Sequence, residues 1–245
     1  DGGTNWVRIA SNQTVSTGRY LWESSLSGLA VSPIARWRIL QDADTNVVDV
    51  TDSPFALNGP FSFYVNDAST VGDLFTSTVG DDNNLGIFTN SPKSTLANLL
   101  DVWDLEGGDT IYVDTGYYPI STNQVVNLIN SDGGSSGNPV NLRGSTKGVL
   151  MEWIEGPAGP TLFNLIASHV RLSGLSLFKG GIRADGSQIV IYNMSVTNGT
   201  VTMGGSDNIL SNLNAVGSTV QSSGTNVLLS RVAVQSGVFN LGGRF

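Results

Sequence analysis

The sequence GIRADGSQIVIYNMSVTNG (181–199) is followed by two further segments with the same pattern. TVTMGGSDNILSNLNAVGS (200–218) and TVQSSGTNVLLSRVAVQSG (219–237) repeat it at a spacing of 19 residues. A preceding copy ends at Gly180, and a partial fifth copy, VFNLGGRF, begins at Val238. This spacing predicts a repeat architecture in which each copy buries its apolar face only against its neighbours.

Apolar residues recur at fixed positions of each copy, in pairs that are two residues apart. In the 181–199 copy the pairs are Ile182 with Ala184, Ile189 with Ile191, and Met194 with Val196. Alternation with period two is the pattern of a β-strand and not of a helix. Glycine and asparagine recur between the pairs, and we interpret them as turn residues because both tolerate positive φ.

Three short strands and three turns with a period of roughly 20 residues are typical of one coil of a parallel β-helix. Successive coils are then expected about 4.8 Å apart, with equivalent residues stacked in register. Parallel crossover connections are right-handed by default. The sequence therefore predicts an all-β protein in which residues 91–245 form a right-handed parallel β-helix.

The charge of the chain argues against nucleic acid or an anionic membrane as a partner. The net charge is −8, and residues 1–110 carry 14 acidic and 5 basic residues, whereas the remainder carries 6 and 7. No apolar run approaches the ~18 residues of a membrane span. Cysteine is absent, which excludes disulfides and thiolate metal sites. Low charge with abundant glycine and small polar residues is typical of extracellular or cell-surface β proteins.

Residues 1–58 are predicted to form an immunoglobulin-like (Ig-like) β-sandwich. The predicted strands are Trp6–Ile9, Arg19–Trp22, Ile34–Leu40, Val47–Val50 and Phe55–Leu57.

This segment resembles the Ig-like repeats of large bacterial surface proteins. The resemblance is carried by DGG-x-x-W at Asp1–Trp6, by Gly18–Trp22, by Arg38-Ile39, and by TDSPFAL at Thr51–Leu57. In that family strands precede the DGG turn. The resemblance therefore implies an incomplete domain, either a fragment or one completed by a strand of another molecule.

Residues 59–90 are acidic and rich in glycine and asparagine, and we predict a connector between two domains. Clustered carboxylates and amides could supply the six to eight oxygen ligands that Ca²⁺ takes. The candidate calcium ligands are Asp67, Asp73, Asp81 and Asp82. The spacing fits neither an EF-hand nor a calcium-binding nonapeptide, so a solvated linker of Asx turns is the alternative.

A capping helix is predicted over residues 91–105. Ser91 fits the N-cap and Pro92 the first helical position. Leu96, Leu99, Leu100 and Trp103 form one apolar stripe. Such a helix would cover the open end of the coil stack.

The motifs Ser91–Leu96 (SPKSTL) and Gly108–Tyr118 (GDTIYVDTGYY) resemble the start of the pectate-lyase-like right-handed β-helix superfamily. The resemblance extends over residues 63–245 and implies the fold. It does not imply one activity, because this fold supports lyases, hydrolases, epimerases, tailspikes and adhesins.

No catalytic set is predicted from the repeat columns. The outward column His169, Gln188, Asp207 and Asn226 is interpreted as a surface hydrogen-bond ladder. Glu152 and Glu155 are the only candidates for a paired-carboxylate site, and both are placed on an irregular segment.

An excursion from the scaffold is predicted within residues 130–160, because Leu142 and Leu172 are further apart in the sequence than one repeat length. Binding surfaces commonly lie on such loops. Trp153 is the candidate carbohydrate-binding residue there.

The favoured function is a structural or adhesive segment of a large extracellular bacterial surface or filament-forming protein, with no catalysis in this segment. The partial last copy predicts either continuation of the chain or self-association through an open coil. Two alternatives stay open. One is part of a polysaccharide lyase or epimerase-type β-helix enzyme, and the other is a carbohydrate-binding module with polysaccharide as its partner.

Overall fold

A computed structural model of the chain shows an all-β protein with parallel sheets. It divides into two compact units, Asp1–Gly59 and Pro60–Phe245. The residues that it describes are 5–12, 32–41, 43–52, 55–57, 59–157 and 159–242.

The first unit contains short antiparallel strand pairs. Its strands are β1 (Ser32–Ala35), β2 (Arg38–Gln41), β3 (Asp44–Val50) and β4 (Phe55–Leu57). Strand β1 pairs with β4, and β2 pairs with β3.

The strand predicted over Ile34–Leu40 is in fact two strands, because Ala35 pairs with Phe55 whereas Arg38 pairs with Val50. The segment 6–9 is not a strand; the Trp6 ring instead lies 4.3 Å from Cζ of Arg38. The predicted strand Arg19–Trp22 and the turn Asp1–Gly3 lie outside the described residues.

The second unit contains one α-helix and sixteen strands among its described residues. Its elements are β5 (Ser62–Val65), α1 (Leu96–Val102), β6 (Thr110–Val113), β7 (Gly116–Ile120), β8 (Val126–Leu128), β9 (Val140–Gly144), β10 (Val149–Trp153), β11 (Thr161–Leu165), β12 (Val170–Ser173), β13 (Ser176–Phe178), β14 (Gly181–Ala184), β15 (Val190–Thr197), β16 (Thr200–Met203), β17 (Ile209–Val216), β18 (Thr219–Ser222), β19 (Leu228–Gln235) and β20 (Val238–Leu241).

These strands form two sheets in which every pair is parallel. One sheet has the order β20-β18-β16-β14-β11-β8. The other has the order β5-β6-β9-β12-β15-β13-β10-β7, and β17 and β19 extend it from β15. Strands β15, β17 and β19 are long, and each covers two of the predicted short strands.

The predicted stacking of equivalent repeat positions is confirmed by the strand register. Ile182 lies opposite Val201, and Val201 lies opposite Val220. All three are at most 1% exposed, so the column is part of the core. Leu142 and Leu172 are further apart in the sequence than one repeat length, and they also lie directly opposite each other on paired strands.

Three columns of residues with positive φ mark the bends of each repeat. They are His169, Gln188, Asp207 and Asn226; Gly174, Asn193, Asn212 and Arg231; and Lys179, Asn198, Gly217 and Ser236. Asparagine, aspartate and glycine, which enter this left-handed region at low cost, occupy seven of these twelve positions.

Glycine recurs at positions 186, 205 and 224 for a reason other than the positive φ that the sequence analysis predicted. These three glycines do not have positive φ. A Cβ on Gly205 would lie 1.8 Å from the carbonyl oxygen of Gly186. Glycine is needed there because the backbones of neighbouring repeats approach each other closely.

The prediction of a linker over residues 59–90 is wrong, because this segment is built into the second unit. Strand β5 pairs with β6, and Phe63 and Val65 on β5 are buried. The amides of Leu74, Phe75 and Thr76 donate to the Asp114 carboxylate at 2.7–2.8 Å.

The capping helix forms but is shorter than the predicted 91–105. Thr95 is the N-cap, and its side chain accepts from the Asn98 amide at 3.2 Å. Ser91–Ser94 cannot join the helix because Lys93 exchanges backbone hydrogen bonds with Tyr64 and Asn66. Leu96, Leu99 and Trp103 are buried as predicted, whereas Leu100, the fourth residue of the predicted stripe, is only half-buried. Among the described residues, no helix is long and apolar enough to cross a membrane.

Candidate functional site

Asp67 and Asp73, two of the predicted calcium ligands, serve as hydrogen-bond acceptors. Asp67 accepts from the amides of Ser69 and Tyr117, both at 2.8 Å. Asp73 Oδ2 accepts from Asn66 Nδ2 at 2.7 Å, whereas its buried Oδ1 has no partner among the described residues. Burial raises the pKa of Asp73, with Asp114 and Asp67 adding to the effect.

Asp81 and Asp82 have other partners. Asp81 Oδ1 accepts from the amide and side chain of Asn83 at 2.9 Å. Asp82 Oδ1 accepts from the amides of Ser94 and Thr95 at 3.0 Å, in front of α1. Within the described ranges, no three His, Cys, Asp or Glu residues are placed to hold a metal ion. The four aspartates do not converge, so the calcium site stays a prediction that this geometry does not support.

Trp153 is 7% exposed and lies on the buried side of β10. A sugar-stacking platform needs an exposed ring face. The interpretation of Trp153 as such a platform does not fit this burial.

Glu152 and Glu155 do not form a carboxylate pair. Glu152 lies on β10, a regular strand, and bonds Tyr117 and Lys179. Glu155 Oε2 bonds the amide and hydroxyl of Thr122. Their neighbours place the two carboxylates in separate hydrogen-bond networks.

Tyr117, Glu152 and Lys179 come together on the outer face of β7 and β10. The phenol of Tyr117 donates to Glu152 Oε2 at 3.1 Å, and Nζ of Lys179 donates to Glu152 Oε1 at 2.9 Å. Lys179 also lies 4.9 Å from the centre of the Phe178 ring. We refer to Tyr117, Glu152 and Lys179 as the outer cluster.

The charge states of the outer cluster follow from these contacts. The hydrogen bond from Lys179, assisted by Tyr117, lowers the pKa of Glu152. Partial burial and the bond to Glu152 raise the pKa of Tyr117. At neutral pH Glu152 is therefore a carboxylate and the Tyr117 phenol keeps its proton.

A groove of about 640 Å³ runs along one bend of the repeats, crossing the strands. At this bend it is lined by Gly144, Gly174, Asn193, Asn212 and Arg231. Five positions on successive parallel strands span roughly 19 Å, because strands lie about 4.8 Å apart. We call this feature the bend groove.

Polar side chains of the bend groove are held in place but keep free hydrogen-bonding groups. Asn212 Nδ2 donates to Asn193 Oδ1 at 2.6 Å, and both residues have positive φ. Three other polar groups that line the groove make no hydrogen bond within the described residues. They are Nδ2 of Asn193, the hydroxyl of Ser195 and the side-chain amide of Asn214. Among the described residues that line the groove, Arg231 is the only charged one.

The bend groove and the outer cluster share one column of the sheet. Tyr117 lies opposite Leu150, and Leu150 lies opposite Ser176. Ser176 lies opposite Ser195, which lies opposite Asn214. The last three residues line the groove, so Tyr117 stands at the end of a column that passes along it.

The sequence did not indicate the outer cluster. Glu152 stands opposite Pro119 and Phe178, and neither of these positions is one repeat length away from it. A search at the repeat spacing cannot align them. The only available signal was the adjacency of Tyr117 and Tyr118, which implied that at most one of the two is buried. Tyr118 is 4% exposed and Tyr117 is 45% exposed.

No protein-family model matches this chain, and no curated protein matches it. One solved structure, titled rhamnogalacturonan lyase, is similar with 14% sequence identity and a TM-score of 0.40. The match covers 76% of this chain and 62% of that structure, so the chain spans less than two thirds of its length.

That protein is named as an enzyme, which contradicts the sequence-based expectation that this segment is not one. We therefore withdraw that expectation. The match does not confirm the pectate-lyase-like family.

Proposed function

We propose that this chain is an adhesive segment of an extracellular or cell-surface protein and that it binds an extended polysaccharide along the bend groove. We further propose that its second unit is a right-handed parallel β-helix, and that its first unit is an Ig-like domain. The parallel register of Ile182, Val201 and Val220 supports a stack of coils.

The bend groove is the observation that carries the proposed function. It is open, crosses successive strands and is lined by amides and hydroxyls with unused hydrogen-bonding capacity. Sugar hydroxyls both donate and accept, so such side chains are suited to them. A continuous groove suits a linear polymer better than a compact ligand.

Binding to a glycan array tests this proposal, with Asn212→Gly as the groove variant. Glycine keeps the positive φ of the bend and removes only the side chain. We expect a fall in affinity of about tenfold, which corresponds to about 1.4 kcal/mol.

Asn226→Gly is the matched control. Asn226 also has positive φ, is exposed and donates from its side chain to the preceding repeat, but it lies on another bend and does not line the groove. Equal losses in both variants, or a wild-type protein that binds no glycan on the array, would contradict the proposed function.

A polysaccharide-active enzyme is the second candidate function. The outer cluster favours it, because an amine, a carboxylate and a phenol beside a groove are the residue types that transfer protons. Incubation of acidic and neutral polysaccharides with the wild-type protein tests for new reducing ends or unsaturated products. Activity that survives Lys179→Ala and Glu152→Ala would exclude the cluster as its source.

Self-association remains a further proposal for the last strands. Among the described residues, β19 pairs only with β17 and β20 only with β18. Leu228, Phe239 and Leu241 are 44–57% exposed on these strands. We propose that further coils of the chain or a second copy pair there. If a second copy pairs, sedimentation velocity should show a dimer that Phe239→Lys dissociates; a wild-type monomer at high concentration would contradict self-association.

A further inference from the structure

Tyr117 is the exposed aromatic residue on the column that leads into the bend groove. It is 45% exposed, and its neighbour in register, Leu150, is 39% exposed. The two outward side chains form a small apolar patch on a polar face. Exposed aromatic rings can pack against the C–H face of a sugar while their hydroxyl stays hydrogen-bonded.

Glu152 and Lys179 add directed polar groups beside this patch. The Glu152 carboxylate uses one bond on each oxygen, and the Lys179 ammonium uses one donor. A carboxylate has about four acceptor positions and an ammonium group has three donors, so about two of each stay unused. Neighbouring sugar hydroxyls require such a combination of donors and acceptors.

The local charge distinguishes between classes of sugar. The Asp67 carboxylate accepts from the Tyr117 amide at 2.8 Å, so a second carboxylate lies beside the backbone of Tyr117. Two carboxylates and one ammonium group leave the surroundings of Tyr117 negative. A uronate carboxylate would be repelled there, whereas a neutral ring would not.

We propose that Tyr117, Glu152 and Lys179 form a terminal subsite of the bend groove for one neutral sugar ring. Tyr117 stacks against the ring, Glu152 accepts from its hydroxyls, and Lys179 donates to them. This inference rests on the proposed function, because the groove must hold the rest of the chain.

Isothermal titration with matched oligosaccharides tests the subsite. The probes are the hexasaccharide of galacturonic acid, the same compound after reduction of its carboxyl groups to alcohols, and the hexasaccharides of glucose and mannose. We expect the wild-type protein to bind at least one neutral probe, and to bind the reduced compound more tightly than the acid.

Three variants assign the roles of the residues. Tyr117→Ala should lower the affinity for the neutral probe by about tenfold. Tyr117→Phe keeps the ring and should lower the affinity by a smaller factor. Glu152→Gln removes one negative charge and should raise the affinity for the acid relative to its reduced form. Circular dichroism confirms that each variant is folded.

The outcomes separate this inference from the proposed function. If the neutral probe is bound and Asn212→Gly weakens it but Tyr117→Ala does not, the subsite is wrong and the groove function stands. Preference for the acid in the wild-type protein also contradicts the subsite. If no probe is bound, the subsite is wrong, and the glycan array alone decides the groove function. A loss of stability without a loss of affinity in Tyr117→Ala would assign the cluster to strand cross-linking alone.

Discussion

Ile182 on β14 and Val201 on β16 lie directly opposite each other in parallel register, although they belong to successive copies of the repeat. The same step carries Val201 to Val220. Because these side chains are buried among their counterparts from neighbouring repeats, no repeat can be stable alone. The stability of the second unit therefore depends on each position of the column.

Ile182→Ala should destabilise the second unit by roughly 2–5 kcal/mol, as expected for a large buried side chain that is replaced by alanine. Arg183→Ala, at the next position on the same strand, is the control. Arg183 is exposed and makes a surface ion pair with Asp185, so its loss should cost less than about 1 kcal/mol. Chemical denaturation measures both. Equal effects would contradict the burial of the column.

Gly205→Ala should destabilise the fold although glycine there does not have positive φ. The added methyl group would lie 1.8 Å from the Gly186 carbonyl oxygen, which belongs to the backbone and cannot turn away. We expect a loss of about 1–3 kcal/mol or more. In Gly242→Ala the new Cβ would be 3.8 Å from its nearest neighbour, Ser222 O, so the melting temperature should hardly change. A tolerated Gly205→Ala would contradict the close approach of the repeats.

Asp114→Asn should loosen the 59–90 segment from β6. The carboxylate of Asp114 accepts from Leu74, Phe75, Thr76 and Thr115, and an amide oxygen cannot replace both of its oxygens. Loss of even one charge-assisted bond costs about 1.5–3 kcal/mol. Hydrogen exchange of the Phe75 and Thr76 amides should accelerate. Unchanged protection would show that these bonds do not hold the segment.

The contribution of Asp114 to the free energy of unfolding should decrease as the pH falls. Burial alone would raise the pKa of Asp114, but its hydrogen bonds hold the pKa below the ordinary value of 3.8. A depressed pKa contributes stability that is present above pH 3.8 and is lost as the pH falls through the folded value. The difference in unfolding free energy between wild type and Asp114→Asn should therefore be largest near neutral pH and shrink in acid.

Asp73→Asn is the control of opposite sign for that pH dependence. Burial raises the pKa of Asp73, so its ionisation costs stability as the pH rises above the ordinary value of 3.8. The loss of unfolding free energy caused by Asp73→Asn should therefore be smallest at neutral pH. The same pH profile in both variants would contradict the assigned shifts.

Asn208→Val should destabilise the core although it makes the apolar column uniform. Asn208 is fully buried in a column with Ile189; its Oδ1 accepts from the Ile189 amide at 2.8 Å and its Nδ2 donates to Gly186 O at 2.9 Å. Valine would leave both backbone groups without these partners, at about 1–3 kcal/mol each. Thermal unfolding measures the change. A more stable variant would show that the two groups find other partners.

The core could be predicted from the sequence wherever the repeat spacing is constant. Ile182, Val201 and Val220 share a column because the chain returns to the same position after each repeat. Tyr117, Glu152 and Lys179 could not be brought together in this way, because loops of irregular length separate their strands. Only the strand pairing in the structure shows which residues on the two sides of such a loop contact each other.

Segments with few apolar residues were the hardest to predict. The 59–90 segment has the composition of a solvated linker, yet Asp114, which follows much later in the sequence, binds three of its consecutive amides. Ser91 has the chemistry of an N-cap, but the bonds of Lys93 to Tyr64 and Asn66 move the start of the helix to Leu96. In both places, long-range hydrogen bonds override a local pattern.

A crystal structure of the protein with its best-binding oligosaccharide tests the central claim most directly. We expect the sugar chain in the bend groove, within hydrogen-bonding distance of Asn193 and Asn212 and with one ring against Tyr117. A sugar chain bound on any other face of the protein would contradict the account.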